Sequence, residues 1–248
     1  MDKIALGLMI AWACFFVGAS TGLAANQVLL RQTGAASIHG TLPDTWRPMT
    51  AAELDLFSQT AAGLGPEAGQ PVAGFKLQNG GTAPLSGPFI LVLANDGPTV
   101  SVAEIQKTYS WFEKNRALTT GLLPAQVSSM KIENIEFLQD RAAILFQTGL
   151  QTADKEFSGV GGIIFLRHGY LNIIGLTESR QFSQHAASFY SLIKTIAVPA
   201  AQRYERPYLQ GGPLLASRAS TWLADNWQKI LGAVLLVGVY GYVLRRQE

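Results

Sequence analysis

The sequence predicts an α+β domain, an antiparallel β-sheet flanked by helices, with a signal or anchor helix before it and a transmembrane helix after it. Three observations predict this. Two capping boxes, Thr50-Ala51-Ala52-Glu53 and Ser101-Val102-Ala103-Glu104, open helices. Strand-like runs follow one another from Ile132 to Leu176 with only tight turns between them. A last helical stripe, Phe182, Ala186, Phe189, Ile193 and Ile196, ends before Pro199.

The first 25 residues have the layout of a secretory signal. A short charged lead, Met1-Asp2-Lys3, precedes an apolar stretch from Ile4 to Gly18, and small residues then allow cleavage after Ala24. The same stretch left uncleaved is a signal anchor. Cys14, the only cysteine, lies inside it, and Ala11-Trp12-Ala13 lacks the leading Leu of a lipobox. A chain without its leader therefore forms no disulfide.

The folded part is expected over residues 26–200. Asn26 to Pro48 holds one short strand, Gln27 to Arg31. The helix opened by Thr50 carries Leu54, Phe57 and Ala61 at helical spacing and stops at Gly63. Gly63 to Gly87 reads as loop with a strand at Val72 to Gln78. Pro88 to Ala94 is a continuous apolar run, suited to a strand covered on both faces, and it breaks at Asn95-Asp96-Gly97-Pro98. The helix opened by Ser101 runs to about Asn115 through Ile105, Tyr109 and Phe112.

Four strands follow, Ile132 to Leu138, Ala142 to Leu150, Phe157 to Leu166 and Tyr170 to Leu176. Gln139-Asp140-Arg141 joins the first pair. His168-Gly169 joins the second, with Gly able to take the positive φ of a tight hairpin, so these pairs are antiparallel.

From about Thr41 to Ala200 this order, with Leu42-Pro43-Asp44-Thr45-Trp46 early and the hairpin plus helix of Gly161 to Ile196 at the close, resembles the Mog1/PsbP-like sandwich. The chain departs from that family in its apolar C-terminal segment. The resemblance implies a domain type known for binding and assembly more than for catalysis, and assigns no residue a role.

Residues 201–221 read as a juxtamembrane linker rich in Gly and Pro, 222–244 as a transmembrane helix and 245–248 as a cytoplasmic tail. Ile230 to Leu244 is uncharged. Fifteen residues of helix reach only about 22 Å, short of a ~30 Å hydrocarbon core. Trp222 and Trp227 before the run and Tyr240 and Tyr242 near its end extend it to the two headgroup layers. Lys229 stands at the near border, and Arg245 and Arg246 at the far one should stay cytoplasmic, which puts the domain outside the cytoplasm. None of the seven Asn residues begins an Asn-x-Ser/Thr sequon. The expected place is a bacterial inner membrane, single-pass, with the domain in the periplasm.

Charge narrows the partners. Between Asn26 and Gln228 fifteen Lys and Arg match fifteen Asp and Glu, so the net +2 belongs to the ends and no basic surface offers itself to nucleic acid. There is no Gly-x-Ser-x-Gly, and His39, His168 and His185 lie far apart without an i, i+4 partner, so neither a catalytic site nor a metal or cofactor is expected. Ser158-Gly159-Val160-Gly161-Gly162 has no following Lys and no helix start, and reads as a strand bulge or edge adjustment. The candidate ligand site is Asn95, Asp96, Gly97 and Ser101, between a strand end and a helix start. The expectation is thus a non-enzymatic binding or assembly module with a protein partner at or near the membrane. The alternatives are a small-ligand sensor or enzyme at Asn95–Ser101, and an accessory subunit acting through its transmembrane helix.

Overall fold

The computed structural model describes residues 25–34, 36–62, 69–78, 87–119 and 127–205. The expected leader up to residue 24, almost all of the linker, the transmembrane helix, and with them Trp222, Trp227, Lys229, Tyr240, Tyr242, Arg245 and Arg246, lie outside the described residues. Within them no helix is long and apolar enough to cross a membrane.

Among the described residues ten strands and three α-helices form in the order β1 (Ala25–Thr33), β2 (Ala36–Pro43), β3 (Trp46–Pro48), α1 (Ala51–Ala62), β4 (Gln70–Leu77), β5 (Phe89–Asn95), α2 (Val102–Lys114), β6 (Ala117–Thr119), β7 (Val127–Leu138), β8 (Ala143–Thr152), β9 (Glu156–Phe165), β10 (Tyr170–Glu178) and α3 (Phe182–Lys194). Eight strands build one sheet in the order β3-β4-β5-β10-β9-β8-β7-β6, antiparallel at every pairing. β1 and β2 pair with each other as a separate hairpin.

Both capping boxes form. The Thr50 N–H donates to Glu53 Oε2 at 2.8 Å, and the Glu53 N–H to Thr50 Oγ1 at 3.3 Å. The Ser101 N–H donates to Glu104 Oε2 at 2.6 Å, and the Glu104 N–H to Ser101 Oγ at 3.2 Å. Each box satisfies amides that a helix start leaves without intrahelical acceptors.

The side-chain period of two sorts the sheet into two apolar layers. On one face Phe89, Leu91 and Leu93 of β5 pack with Phe57 of α1, Ile105 and Phe112 of α2, and Ile144 and Phe146 of β8. On the other, Ile90, Val92 and Ala94 pack with Phe189, Leu192 and Ile193 of α3 and with Leu30, Ile38 and Leu42 of the β1–β2 hairpin. All seven residues of β5 are buried, as a strand covered on both faces requires.

The glycine run in β9 differs from the sequence expectation. β9 keeps unbroken register with β8 and with β10 from Glu156 or Phe157 to the hairpin end, so there is neither a bulge nor an edge. Its glycines admit neighbours instead. A Cβ on Gly161 would overlap the Phe146 ring, and one on Gly162 would come within 2.9 Å of Ile193 on α3. Bulges occur elsewhere, at Leu29/Arg31, at Pro71/Ala73, and in β7 between Glu133 and Glu136, where Asn134 has φ +49°.

After α3 the chain crosses one end of the sheet. Ala197 bridges His39 of β2, and Arg203 bridges Leu166 at the end of β9. The tight hairpin expected at His168-Gly169 is displaced by one residue: Leu166 N–H donates to Gly169 O at 3.1 Å, so Arg167 and His168 lie inside the turn and Gly169, at φ +71°, flanks it.

Candidate functional site

The sheet face that carries α3 is covered only in part, and the strands change character where the helix stops. In β8, Ala143 and Leu145 belong to the apolar layer under α3, whereas Gln147, Gly149 and Gln151 continue the same side as polar or open positions. In β9, Ile164 and Val160 give way to Ser158. On β7, Met130 and Ile132 point into the core and alternate with Ser129, Lys131 and Glu133. The outcome is a shallow groove of about 220 Å³ lined by Ser129, Lys131, Glu133, Gln147, Gly149 and Gln151, with Ser158 and Ser179 along one side.

Cross-strand bonds set the polar groups of this groove. Ser129 Oγ donates to Gln151 Oε1 at 3.2 Å, and Asn134 Nδ2 to Gln147 Oε1 at 2.9 Å. Ser158 and Ser179 share a hydroxyl hydrogen bond of 2.8 Å. Both glutamine carbonyls are thus held, which turns each Nε2 group into an oriented donor. Gly149 has no heavy atom within 4 Å of where a Cβ would stand, so the floor beneath is open. Beside the groove Glu178 pairs with Lys155 and with Arg180 at 2.7 Å. The Lys155 bond holds the Glu178 carboxyl below the usual range against the upward push of burial.

The loop singled out by sequence is brought to the other end of the sheet, outside this groove. Asp96 has a side chain 75% exposed and is paired with Arg31 of β1, whose side chain is only 10% exposed. Ser101 caps α2 with its hydroxyl oxygen. Asn95 is buried in register with Tyr170, and Gly97 adjoins it. Gly169 N–H donates to Pro98 O at 3.2 Å and Thr99 Oγ1 to Arg167 O at 2.5 Å, which locks this loop onto the β9–β10 hairpin. The structure thus brings Asn95, Asp96, Gly97 and Ser101 together as one anchored turn.

A second cleft, about 310 Å³, lies under the segment that follows α3. Ile164, Ile193, Ile196 and Val198 line it, and Arg141 and Arg203 stand at its rim. Both guanidinium groups donate to main-chain carbonyls, Arg141 to Lys194 O and Arg203 to Val198 O at 3.3 Å. The histidines are dispersed, His39 in β2, His168 in the hairpin and His185 edge-on to Trp46 at 6.2 Å. Burial pushes the His185 pKa down. Among the described residues no three His, Cys, Asp or Glu gather as a metal ion needs.

No protein-family model matches the chain, and no curated protein matches it. It is similar to the solution structure of cyanobacterial PsbP (CyanoP) from Synechocystis sp. PCC 6803, at 9% identity and a TM-score of 0.42, over 73% of this chain and 96% of that one. It is also similar to LpqN, involved in cell envelope biogenesis of Mycobacterium tuberculosis, at 11% identity and a TM-score of 0.45, over 71% and 92%. A protein of unknown function from Pseudomonas aeruginosa, PA94, is similar at 15% identity and a TM-score of 0.33, over 70% and 97%.

Proposed function

We propose that this chain is a membrane-tethered, extracytoplasmic binding or assembly module, non-enzymatic, whose partner is a protein docking on the polar groove of β7, β8 and β9. The observation that carries this reading is the groove itself. A sheet face left uncovered by its own helix, with glutamine amides held in place by cross-strand bonds and an open glycine floor, is a prearranged set of donors and acceptors. With Lys131 beside Glu133 and Glu156 it carries both signs, which suits a polypeptide better than a polyanion. The tether rests on the apolar run Ile230 to Leu244 and its flanks, and the periplasmic side on Arg245 and Arg246.

The test is photo-crosslinking of the full chain in its own membrane. A photoreactive residue at Gly149 is expected to capture a discrete protein, and one at exposed Asp55 on α1 is expected not to. Equal capture at both positions, or none at Gly149, would sink the reading. Labelling of a cysteine introduced at Gly149 by a membrane-impermeant reagent in intact spheroplasts checks the side of the membrane.

A second reading keeps the loop at Asn95–Ser101 as a small-ligand site, favoured by one fact: Asp96 presents an exposed carboxylate fixed by a largely buried arginine. An Asp96→Ala chain that restores every phenotype of a deletion would remove it.

A further inference from the structure

Asn172 stands in the middle of β10, between Leu93 of β5 and Ile163 of β9, and is 4% exposed. Neither its Nδ2 nor its Oδ1 has a hydrogen-bond partner, and the same holds for the hydroxyl of Thr108 on α2, which is fully buried. Leaving three such atoms unpaired in an apolar layer would cost a sizeable part of a domain's whole stability. Buried polar groups are therefore paired almost without exception, with protein or with a small bound molecule.

The two residues reach the same level of the same layer. Asn172 shares its face of β10 with Tyr170 and Ile174, both in the apolar layer that takes in α2. Ile163 lies beside Asn172 on β9, and Ile144 beside Ile163 on β8, so Ile144 marks the level of Asn172. Ile144 is two residues, roughly 7 Å, from Phe146 toward the end where α2 begins. Phe112 of α2 packs on Phe146 at 4.7 Å between ring centroids. Thr108 lies one turn before Phe112, and its neighbour Tyr109 meets Phe137 of β7 at 6.3 Å between ring centroids, Phe137 being the cross-strand partner of Ile144.

We propose that Asn172 and Thr108 form an internal binding site between α2 and the sheet for a small neutral molecule that both donates and accepts hydrogen bonds. An amide side chain offers one donor edge and one acceptor edge, and the threonine hydroxyl supplies either, so a complementary guest is a water molecule or the uncharged head of a small solute. A charged guest is disfavoured. Lys76 is the only buried charged side chain among the described residues, and Glu53 already pairs with it, so no counter-charge is at hand.

The experiment uses the isotope-labelled full chain in a neutral detergent. Cross-relaxation from solvent to the Asn172 side-chain amide protons and the Thr108 methyl is expected if the guest is water. A mass adduct on the folded chain by native mass spectrometry is expected if it is a solute. Asn172→Leu should abolish either signal, and Thr108→Val, which removes one hydrogen bond and keeps the shape, should shorten the guest's residence about tenfold. Absence of both signals from the unsubstituted chain, or a direct Asn172–Thr108 hydrogen bond with no third molecule, would overturn the proposal. Should the leucine variant fail to fold, the valine variant decides alone, and an unchanged residence time refutes the shared site.

Discussion

The ring of Phe146 on β8 lies over the α-carbon of its cross-strand partner Gly161 on β9, where a Cβ would overlap the ring. An antiparallel pair of a large aromatic and a glycine lets Phe146 lie flat against the sheet and meet Phe112 of α2 from below. Gly161→Ala is expected to destabilise the fold by about 1–3 kcal/mol through overpacking. Adding Phe146→Leu should return part of that loss, which a double-mutant cycle of thermal melts would measure. Simple additivity of the two would contradict the contact.

Glu53 ties three elements together at once. Its carboxylate accepts from Arg47 Nη2 at 3.1 Å, from the Thr50 N–H and from Lys76, whose side chain is 7% exposed against 14% for Glu53. Burial by itself raises the Glu53 carboxyl, but the bonds from Arg47, Lys76 and Thr50 outweigh it and bring the pKa from 4.5 to about 2. A depressed carboxyl contributes stability fully above its unfolded value, and that contribution drains away as the pH falls from 4.5 toward 2. The difference is roughly 3 kcal/mol. Glu53→Gln should flatten this acid limb in denaturant titrations, and because it strands the Lys76 ammonium it should also cost about 3–5 kcal/mol at neutral pH. Lys76→Met, which removes the buried charge itself, should cost less.

Two glycines in the left-handed region separate strain from crowding. Gly34 has φ +59° with nothing within 4 Å of a would-be Cβ, whereas Gly169 has φ +71° and a Cβ there would run into the Asn95 carbonyl. Gly34→Ala should therefore cost only the backbone term of about 1 kcal/mol. Gly169→Ala should cost clearly more and loosen the turn at Asn95, seen as faster hydrogen exchange at the Gly169 amide that donates to Pro98.

The groove admits a substitution that leaves folding alone. Gly149→Trp enters open space, so its melting temperature should match the parent chain within about 1 °C. Capture of the partner should nonetheless fall sharply. A variant that melts normally and still binds normally would move the docking surface elsewhere.

Much of the architecture was legible because local chemistry and tertiary context agree. The two capping boxes, the uninterrupted apolar run of β5 and the Gly169 turn each have a cause within a few residues of chain. What stayed hidden depends on partners far away in sequence. β3 and β6 are three residues each and exist only because β4 and β7 present an edge to them. β2, with His39, Gly40 and Pro43, has weak strand chemistry and is held by Leu30, Leu192 and the Ala197 bridge. The run Ser158 to Gly162 looked like a defect because its occupants, Phe146 and Ile193, come from other elements. For the site, Asn95 to Pro98 was visible as a turn. The alternation of Ser129, Lys131 and Glu133 with Met130 and Ile132 carried the groove's signal, but only the footprint of α3 reveals which polar face stays bare.

The strap that leaves α3 gives the domain a defined point of attachment for mechanical load. The last described residues are fastened by the Leu166–Arg203 bridge, by Arg167 N–H to Gln202 O at 2.9 Å, and by the Arg167–Glu205 pair at 2.6 Å. Tension applied through the chain beyond residue 205 enters at the end of β9, an interior strand, and reaches both of its neighbours before any edge strand is strained. The few bonds of the strap are thus expected to yield before the eight-stranded sheet behind them, so that a short length of chain can pay out while the sheet keeps its shape.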